Sequence, residues 1–435
     1  MNYPDSVHFL YALGNEIQTA KLGLERIRTV MEALGRPQDR LRFIHVAGTN
    51  GKGSVCAMLE SALRADGLRT GLFTSPHLAQ PTERIRIAGL PVDAEQFANA
   101  FNQVHRVAEE LLAAGAIDLH PTYFETVTAM ALLIFDRRRV DRVVLEVGLG
   151  GRLDATNIVT PELAVITPID FDHEAYLGRS LEAIAGEKAG ILKPNVPAVL
   201  AEQRPEAARV LEDRAAALAV PVALAANWRT SNLEMDARGS RFTLSNRAVS
   251  DGAALDIRCN LGGEHQVGNA ATAALALLRL GVSRGAIERG IAAALWPGRL
   301  EHVSEQPDII LDGAHNPAGA RALGAYIDRF YSERHVRLIF GAMRDKAIGE
   351  IAGILFPRAQ QVIVTAPRQA RAFSPEAMRE LSDHPGLTTA PDIKAALEQV
   401  RGASPADVVF VTGSLFLVAE ARAILLGAPS TSRYD

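Results

Sequence analysis

The stretch 41–67, LRFIHVAGTNGKGSVCAMLESALRADG, carries the strongest fold signal in the chain. Its apolar start suits a buried strand, the glycines that follow suit a turn, and the residues beyond Lys52 carry the apolar periodicity of a helix. In GTNGKGS (48–54) the glycines let backbone N–H groups turn toward an anion, at a helix N-terminus whose partial charge is positive. Thr49, Asn50, Gly51, Lys52, Gly53 and Ser54 are therefore candidate nucleotide contacts, with Lys52 a point charge for the β- and γ-phosphates. The pattern departs from the ordinary GxxxxGK[ST] loop, because Gly53 follows the lysine and the hydroxyl arrives only at Ser54. A plain glycine turn with an exposed lysine would look the same locally. The strand before it and the helix after it favour a phosphate loop.

Outward from that unit the same style continues. RTGLFTS (69–75), DRVVLEVG (141–148), ELAVITP (162–168) and VPAVLA (196–201) read as strands, with helical patterns at 124–138 and 180–192 between them. Strands alternating with helices imply parallel βαβ units. Residues 220–260 suggest instead a small antiparallel patch, followed by an Ala/Leu-rich helix over 269–280. A second block starts near Pro307, where PDIILDGAH, VRLIFGAM, QQVIVTAP and ADVVFVTGS read as four more strands. Trp-Pro-Gly in LWPGRLE (295–301) breaks the preceding helix, which places a boundary near residue 297. The expected fold class is α/β: a P-loop, doubly wound, mostly parallel sheet domain (1–296) and a smaller Rossmann-like α/β domain (297–435). The polar tail beyond Leu426 is expected to fray.

Composition bounds the rest. At 435 residues the chain is long for one core, and 48% hydrophobic content excludes intrinsic disorder. No apolar run is long enough for a bilayer span, and the N-terminus lacks a basic segment followed by an apolar one, so neither a membrane protein nor a signal peptide is expected. Cys56 and Cys259 are too few for a disulfide framework or metal cluster, which fits a reducing, cytoplasmic setting. A net charge of −4 gives no global reason to bind nucleic acid.

The displaced hydroxyl at Ser54 suggests that other residues complete a Mg²⁺ shell. Ser75, Glu146 and His173 each sit at or beyond the carboxyl end of a predicted strand, where open α/β sheets place their ligands. Each also has an ordinary reading: Ser75 as a cap before Pro76, Glu146 as an ion-pair partner, His173 as a loop histidine.

GTNGKGS (48–54), TSPHL (74–78) with ERI (83–85), EVGLGGRLDATN (146–157), DHEAYLG (172–178), EKAGI (187–191), EHQVGNA (264–270), WPGRLE (296–301), LDGAHNPAG (311–319) and TGSLFLVAEAR (412–422) occur in that order. Together they resemble the folylpolyglutamate synthase/dihydrofolate synthase family, a branch of the ATP-dependent amino-acid ligases related to the Mur ligases. The resemblance runs from about residue 20 to 422. It implies transfer of the γ-phosphate of ATP to a carboxylate, followed by attack of the glutamate amine on the acyl phosphate. The implied catalytic residues are Lys52, His173 and Lys188, the last as a carbamylated lysine. Two Mg²⁺ ions are implied, with ligands on Ser75, Glu146 and His173, and a potassium ion is a further candidate. Asn269, Arg299 and Asp312 align with the nucleotide's adenine and ribose contacts, and Arg299 could equally form a surface ion pair with Glu301. The pterin-bearing substrate is implied near Leu22, Gly23 and Leu24, near Thr122, Tyr123, Phe124 and Glu125, and near Leu153, Asp154 and Ala155. Phe124 and Tyr123 could also simply begin a buried helix. His315 and Ser414 are candidate contacts for the incoming glutamate, or else helix N-terminal caps.

The implied function is a bifunctional ligase joining glutamate to dihydropteroate and then to reduced folates, acting on small molecules and as a monomer. Three alternatives stay open: a monofunctional polyglutamylating enzyme, a Mur-type peptide ligase, and a non-enzymatic nucleotide-dependent module. Mur ligases normally carry a substrate domain ahead of the loop, whereas 47 residues precede Gly48 here, which favours the folate branch.

Overall fold

A computed structural model describes residues 1–13, 23–246 and 254–427. Leu22 and most of the polar tail, from 428, lie outside the described residues. The stretch 41–67 forms a strand, β1 (Phe43–Ala47), a glycine turn and a 14-residue helix, Lys52–Ala65. Every residue of β1 is buried, as befits a parallel strand covered on both faces.

Around it lie β2 (Thr70–Phe73), β3 (Ile85–Ile87), β4 (Leu90–Pro91), β5 (Arg142–Glu146), β6 (Leu163–Ile166), β7 (Ala198–Leu200) and β8 (Val222–Leu224), in the order β4-β3-β2-β5-β1-β6-β7-β8. The strands from β2 to β8 in that order run parallel, and only the short β3 and β4 are antiparallel. The chain leaves β1 toward β2 on one side, then crosses from β5 to β6 on the other. A crevice therefore opens at the carboxyl end of β1, the usual place for a ligand in such sheets. A three-stranded antiparallel sheet of β9 (Trp228–Asp236), β10 (Gly239–Asn246) and β11 (Leu255–Cys259) packs Phe242, Leu244 and Ile257 into the core beneath helix Lys52–Ala65.

The second sheet comprises β12 (Glu301–Glu305), β13 (Asp308–Leu311), β14 (His335–Phe340), β15 (Gln361–Val364), β16 (Leu387–Thr389) and β17 (Asp407–Thr412), ordered β12-β13-β17-β14-β15-β16. It is parallel except for β12, and separate apolar clusters fill its two faces. The four strands expected here are present, and two more flank them. The sequence pattern hides β12 because EHVSE is a polar edge strand, and β16 because it is only three residues long. Val222–Leu224, expected within the antiparallel patch, instead joins the main sheet parallel to β7, and the patch starts at Trp228. Among the described residues, no helix is long and apolar enough to cross a membrane, and both cysteines are free and buried.

The helix behind the phosphate loop is clamped by a close helix–helix approach. A Cβ on Gly290, in helix Arg284–Ala293, would lie 2.1 Å from the Cα of Ala62. Helix propensity alone would make alanine there stabilising by about 1 kcal/mol. The backbone clash outweighs it, so Gly290→Ala is expected to destabilise the protein by about 2 kcal/mol. Urea denaturation tests this, and an unchanged or raised midpoint would show that the two helices do not meet so closely.

Candidate active site

The glycines of the loop serve different purposes. Gly48 has φ +148° and a Cβ there would lie 1.8 Å from Thr167 Oγ1; Gly51 has φ +84° and would meet Asn269 Oδ1 at 2.3 Å. At Gly53 the obstacle is the Trp296 indole, 2.6 Å away, so the second glycine around Lys52 makes room for an aromatic ring. The loop is braced from β6: Thr49 and Asn50 donate their N–H groups to the Pro168 carbonyl at 3.0 and 3.2 Å, and Thr49 Oγ1 donates to that of Asp170 at 2.9 Å.

Two amines converge on this turn. Lys52 Nζ donates to the Gly48 and Thr49 carbonyls at 3.1 and 3.2 Å, and Lys188 Nζ donates to the same Gly48 carbonyl at 2.9 Å. Lys188, in the last turn of helix Leu181–Ala189, is buried. Burial, with the positive charge of Lys52 beside it, pushes its amine down to about 7.

Acidic groups face these amines. Glu146, at the end of β5, is buried and accepts the Ser75 N–H at 2.9 Å. Burial raises its pKa, opposed by Lys52 and by that hydrogen bond. His173 sits in a left-handed conformation at φ +53°, and burial lowers its imidazole to about 4, so it is neutral near pH 7. Its neighbour Asp172 ties the two sheet domains together. Asp172 accepts from Lys346 Nζ at 2.7 Å and from Asn316 Nδ2 at 3.1 Å, with His315 Nε2 3.6 Å away. Burial opposes its charge, yet His315, Lys346 and His173 hold its carboxyl well below the usual range. Asn316 Nδ2 also donates to Asn50 Oδ1 at 3.1 Å, joining the second domain to the loop itself.

A cavity of about 1030 Å³ spans the two domains. All seven loop residues, 48–54, line it, as do Ser75, Glu146, His173, Lys188, Asn269, Arg299, Asp312 and His315. A smaller, mostly apolar cavity of about 230 Å³ shares Ser75, His173 and His315 with it. Gly23, Thr122, Phe124, Glu125, Leu153, Asp154, Ala155 and Ser414 line this second cavity.

Several expected contacts have other partners. Leu24 and Tyr123 line neither cavity; Leu24 is core, and the buried Tyr123 ring stacks on Tyr11 at 5.8 Å. Glu125 is buried against Arg26 at 2.7 Å and caps its own helix through the Thr122 N–H. Asp154 accepts the N–H groups of Gly148, Leu149 and Thr156, and so shapes the loop 148–156. Asp312 accepts from the N–H groups of Leu300 and Ala314, which sets the linker. Arg299 does not pair with Glu301, whose carboxylate is held by Arg422 at 3.0 Å. Ser54 Oγ accepts from Gln266, and Ser414 caps helix Leu415–Leu426, whereas His315 is not a cap.

Comparison with known proteins decides the family. Residues 46–277 match the Mur ligase middle domain, and residues 298–415 match the Mur ligase glutamate ligase domain. The chain is 36% identical to the Bacillus subtilis dihydrofolate synthase/folylpolyglutamate synthase, over 92% of this chain and 94% of that protein. It is equally similar to a probable bifunctional folylpolyglutamate synthase/dihydropteroate synthase of Haloferax volcanii, covering 97% of this chain but only 50% of that longer protein. The structure of Escherichia coli FolC in complex with DHPP and ADP superposes with a TM-score of 0.87 at 32% identity, over 98% of each chain.

The chain belongs to the dihydrofolate synthase/folylpolyglutamate synthase family.

This family assigns it to the ATP-dependent, amide-forming ligases. Four side chains at this ligase's site escaped the sequence reading: Asp172, Lys346, Gln266 and Trp296. Asp172 lies within DHEAYLG, and Lys346 follows the carboxyl end of β14, so both carried a positional signal. Nothing in the sequence pairs them, because 174 residues separate the two.

The Asp172–Lys346 contact is nearly solvent-free, at 9% and 11% side-chain exposure. Asp172→Asn would leave the ammonium buried without its counter-charge, at a cost of about 3 kcal/mol or more to the closed arrangement. Small-angle scattering is expected to show a larger radius of gyration for Asp172→Asn at pH 7. Since the native carboxyl titrates below its ordinary range, the wild-type protein is expected to stay closed down to about pH 5. Identical scattering from both proteins would contradict this role.

Proposed function

We propose that this ligase forms the amide between the glutamate amine and the carboxylate of dihydropteroate, and then of reduced folates, at the expense of ATP. One observation carries the reading. A large cavity of mixed lining around a phosphate loop meets a smaller, mostly apolar one at Ser75, His173 and His315. The first suits a nucleotide, the second suits a pterin-bearing acid against Phe124 and Leu153, and the shared wall is where phosphoryl donor and acceptor would meet. The Escherichia coli relative, with DHPP and ADP bound together, supports two such sites in one fold.

Lys52 would leave its two carbonyls to bind the γ-phosphate, and the braced loop would hold the phosphates in place. An oxygen of the substrate carboxylate then attacks the γ-phosphorus, and ADP departs. The glutamate amine attacks the acyl carbon, loses a proton, and displaces phosphate. His315 and Ser414, on loops of the second domain, are suited to place that amine. We assign residues 1–296 to nucleotide and pterin binding and 297–435 to glutamate binding and closure. This division is supported by the linker at Trp296-Pro297-Gly298 and by the start of β12 at Glu301.

The residues also fit Mg²⁺. Glu146 offers carboxylate oxygen, Ser75 a hydroxyl, and His173 an imidazole already neutral. Bound there, Mg²⁺ would supply positive charge to the phosphoryl group during transfer. Lys188 fits carbamylation, since an amine titrating at about 7 has a substantial unprotonated fraction near neutrality, where an ordinary lysine has almost none. As a carbamate it would become an anion beside Lys52.

Protein supplied with ATP, Mg²⁺, glutamate and dihydropteroate should release phosphate, and Lys52→Ala should reduce that release to background. Turnover with tetrahydrofolate but none with dihydropteroate would restrict the activity to polyglutamylation. Lys188 sets a pH dependence of definite sign. Below about pH 7 the amine gains a proton and resists CO₂, so activity should fall on that side and be partly restored by added bicarbonate. A rate indifferent both to added bicarbonate and to removal of dissolved CO₂ would rule out carbamylation.

A further inference from the structure

Outside both cavities, helix Ala94–Ala113 carries His105 and Glu109 four residues apart, on one face. His120 reaches the same point from the segment that leads into helix Tyr123–Arg137. His105 Nδ1, a Glu109 carboxylate oxygen and His120 Nε2 all lie within 4.8 Å of one another. The two nitrogens are 3.3 Å apart, and Glu109 Oε1 is 4.0 Å from His105 Nδ1. Two nitrogens each bound to a tetrahedral Zn²⁺ at about 2.0–2.1 Å are themselves about 3.3 Å apart. The imidazoles thus already stand at the separation an ion requires, and the exposed Glu109 needs only a small rotation.

The surroundings prepare the lone pairs. His120 Nδ1 is 2.9 Å from the Pro121 carbonyl, to which it can only donate, so its proton is on Nδ1 and the Nε2 lone pair faces His105. A ligating histidine that gives its other N–H to a backbone carbonyl is the usual outer-shell arrangement of a metal site. The His105 ring is held by Phe9, with centroids 4.6 Å apart, and by Phe101, stacked at 5.5 Å. Burial and the neighbouring His120 lower its pKa, which favours the neutral, ligating form.

We propose that His105, Glu109 and His120 bind a divalent transition-metal ion, Zn²⁺ foremost, with a water in the fourth position. Without the ion, His105 Nδ1–H donates to His120 Nε2; on binding, the Nδ1 proton leaves and His105 Nε2 takes one up from solvent, so His105 stays neutral and its Nδ1 lone pair meets the ion. Two imidazoles and one carboxylate select against Mg²⁺, which prefers oxygen. The bound ion would fasten helix Ala94–Ala113 to Pro121 and Thr122, and so steady the end of the helix that carries Phe124 into the smaller cavity.

The test uses the full chain, stripped with chelator and kept in excess Mg²⁺ to fill oxygen-rich sites. Titration with Co²⁺ should give one equivalent of the intense visible absorption of a four-coordinate ion, displaced by Zn²⁺. Glu109→Gln and His120→Gln should each weaken binding at least about tenfold. Matching circular dichroism would show that both variants fold, and Mg²⁺-supported turnover of Glu109→Gln should be unchanged. Wild-type affinity for Co²⁺ in both variants, or no Co²⁺ or Zn²⁺ uptake by the wild-type protein, would overturn the site.

Discussion

Two lysine amines rest on one backbone carbonyl, that of Gly48, and much of the site follows from this contact. Burial first, and the like charge of Lys52 second, lower the pKa of Lys188, so the two amines need not both carry a proton near neutrality. The carbonyl can serve both only because Gly48 adopts a backbone conformation closed to other residues, with Thr167 occupying the space of a Cβ. That conformation depends in turn on β1 lying between β5 and β6, which brings Thr167 and Pro168 against the turn.

Across the cleft the balancing element is Asp172. A buried carboxylate is costly unless its hydrogen bonds and charges are matched. Here the match comes largely from the other domain, through Lys346, Asn316 and His315. The closed cleft therefore carries its own electrostatic condition: opening leaves Asp172 and Lys346 without each other. Because Asn316 also bonds to Asn50, the same contact aligns the second domain with the phosphate loop.

The strand–loop–helix at 41–67, the four central strands of the second sheet and the break at Trp296 were all legible, because apolar runs bounded by glycine or proline leave strong local patterns. Short or polar edge strands such as β4, β12 and β16 were not, since pairing with a neighbour creates them and not their own composition. At the site, the residue types of the motifs placed nearly every candidate in one of two cavities. Their bonding was another matter: Glu125, Asp154 and Asp312 look like ligand-binding acids in sequence, yet each is occupied by backbone N–H groups or an arginine.

The amino-acid sequence by itself determined the phosphate loop, the order of the α/β units and the family of ligases to which they belong. It did so through features that act within a few residues: turn glycines, apolar period and motif spacing. Tertiary structure alone decided which charges meet. Lys188 loses its proton near neutrality, His173 stays neutral and Asp172 stays ionised because of what packs around them from more than a hundred residues away. Burial and charge pairing depend on distance in space, and local sequence patterns carry no measure of that distance.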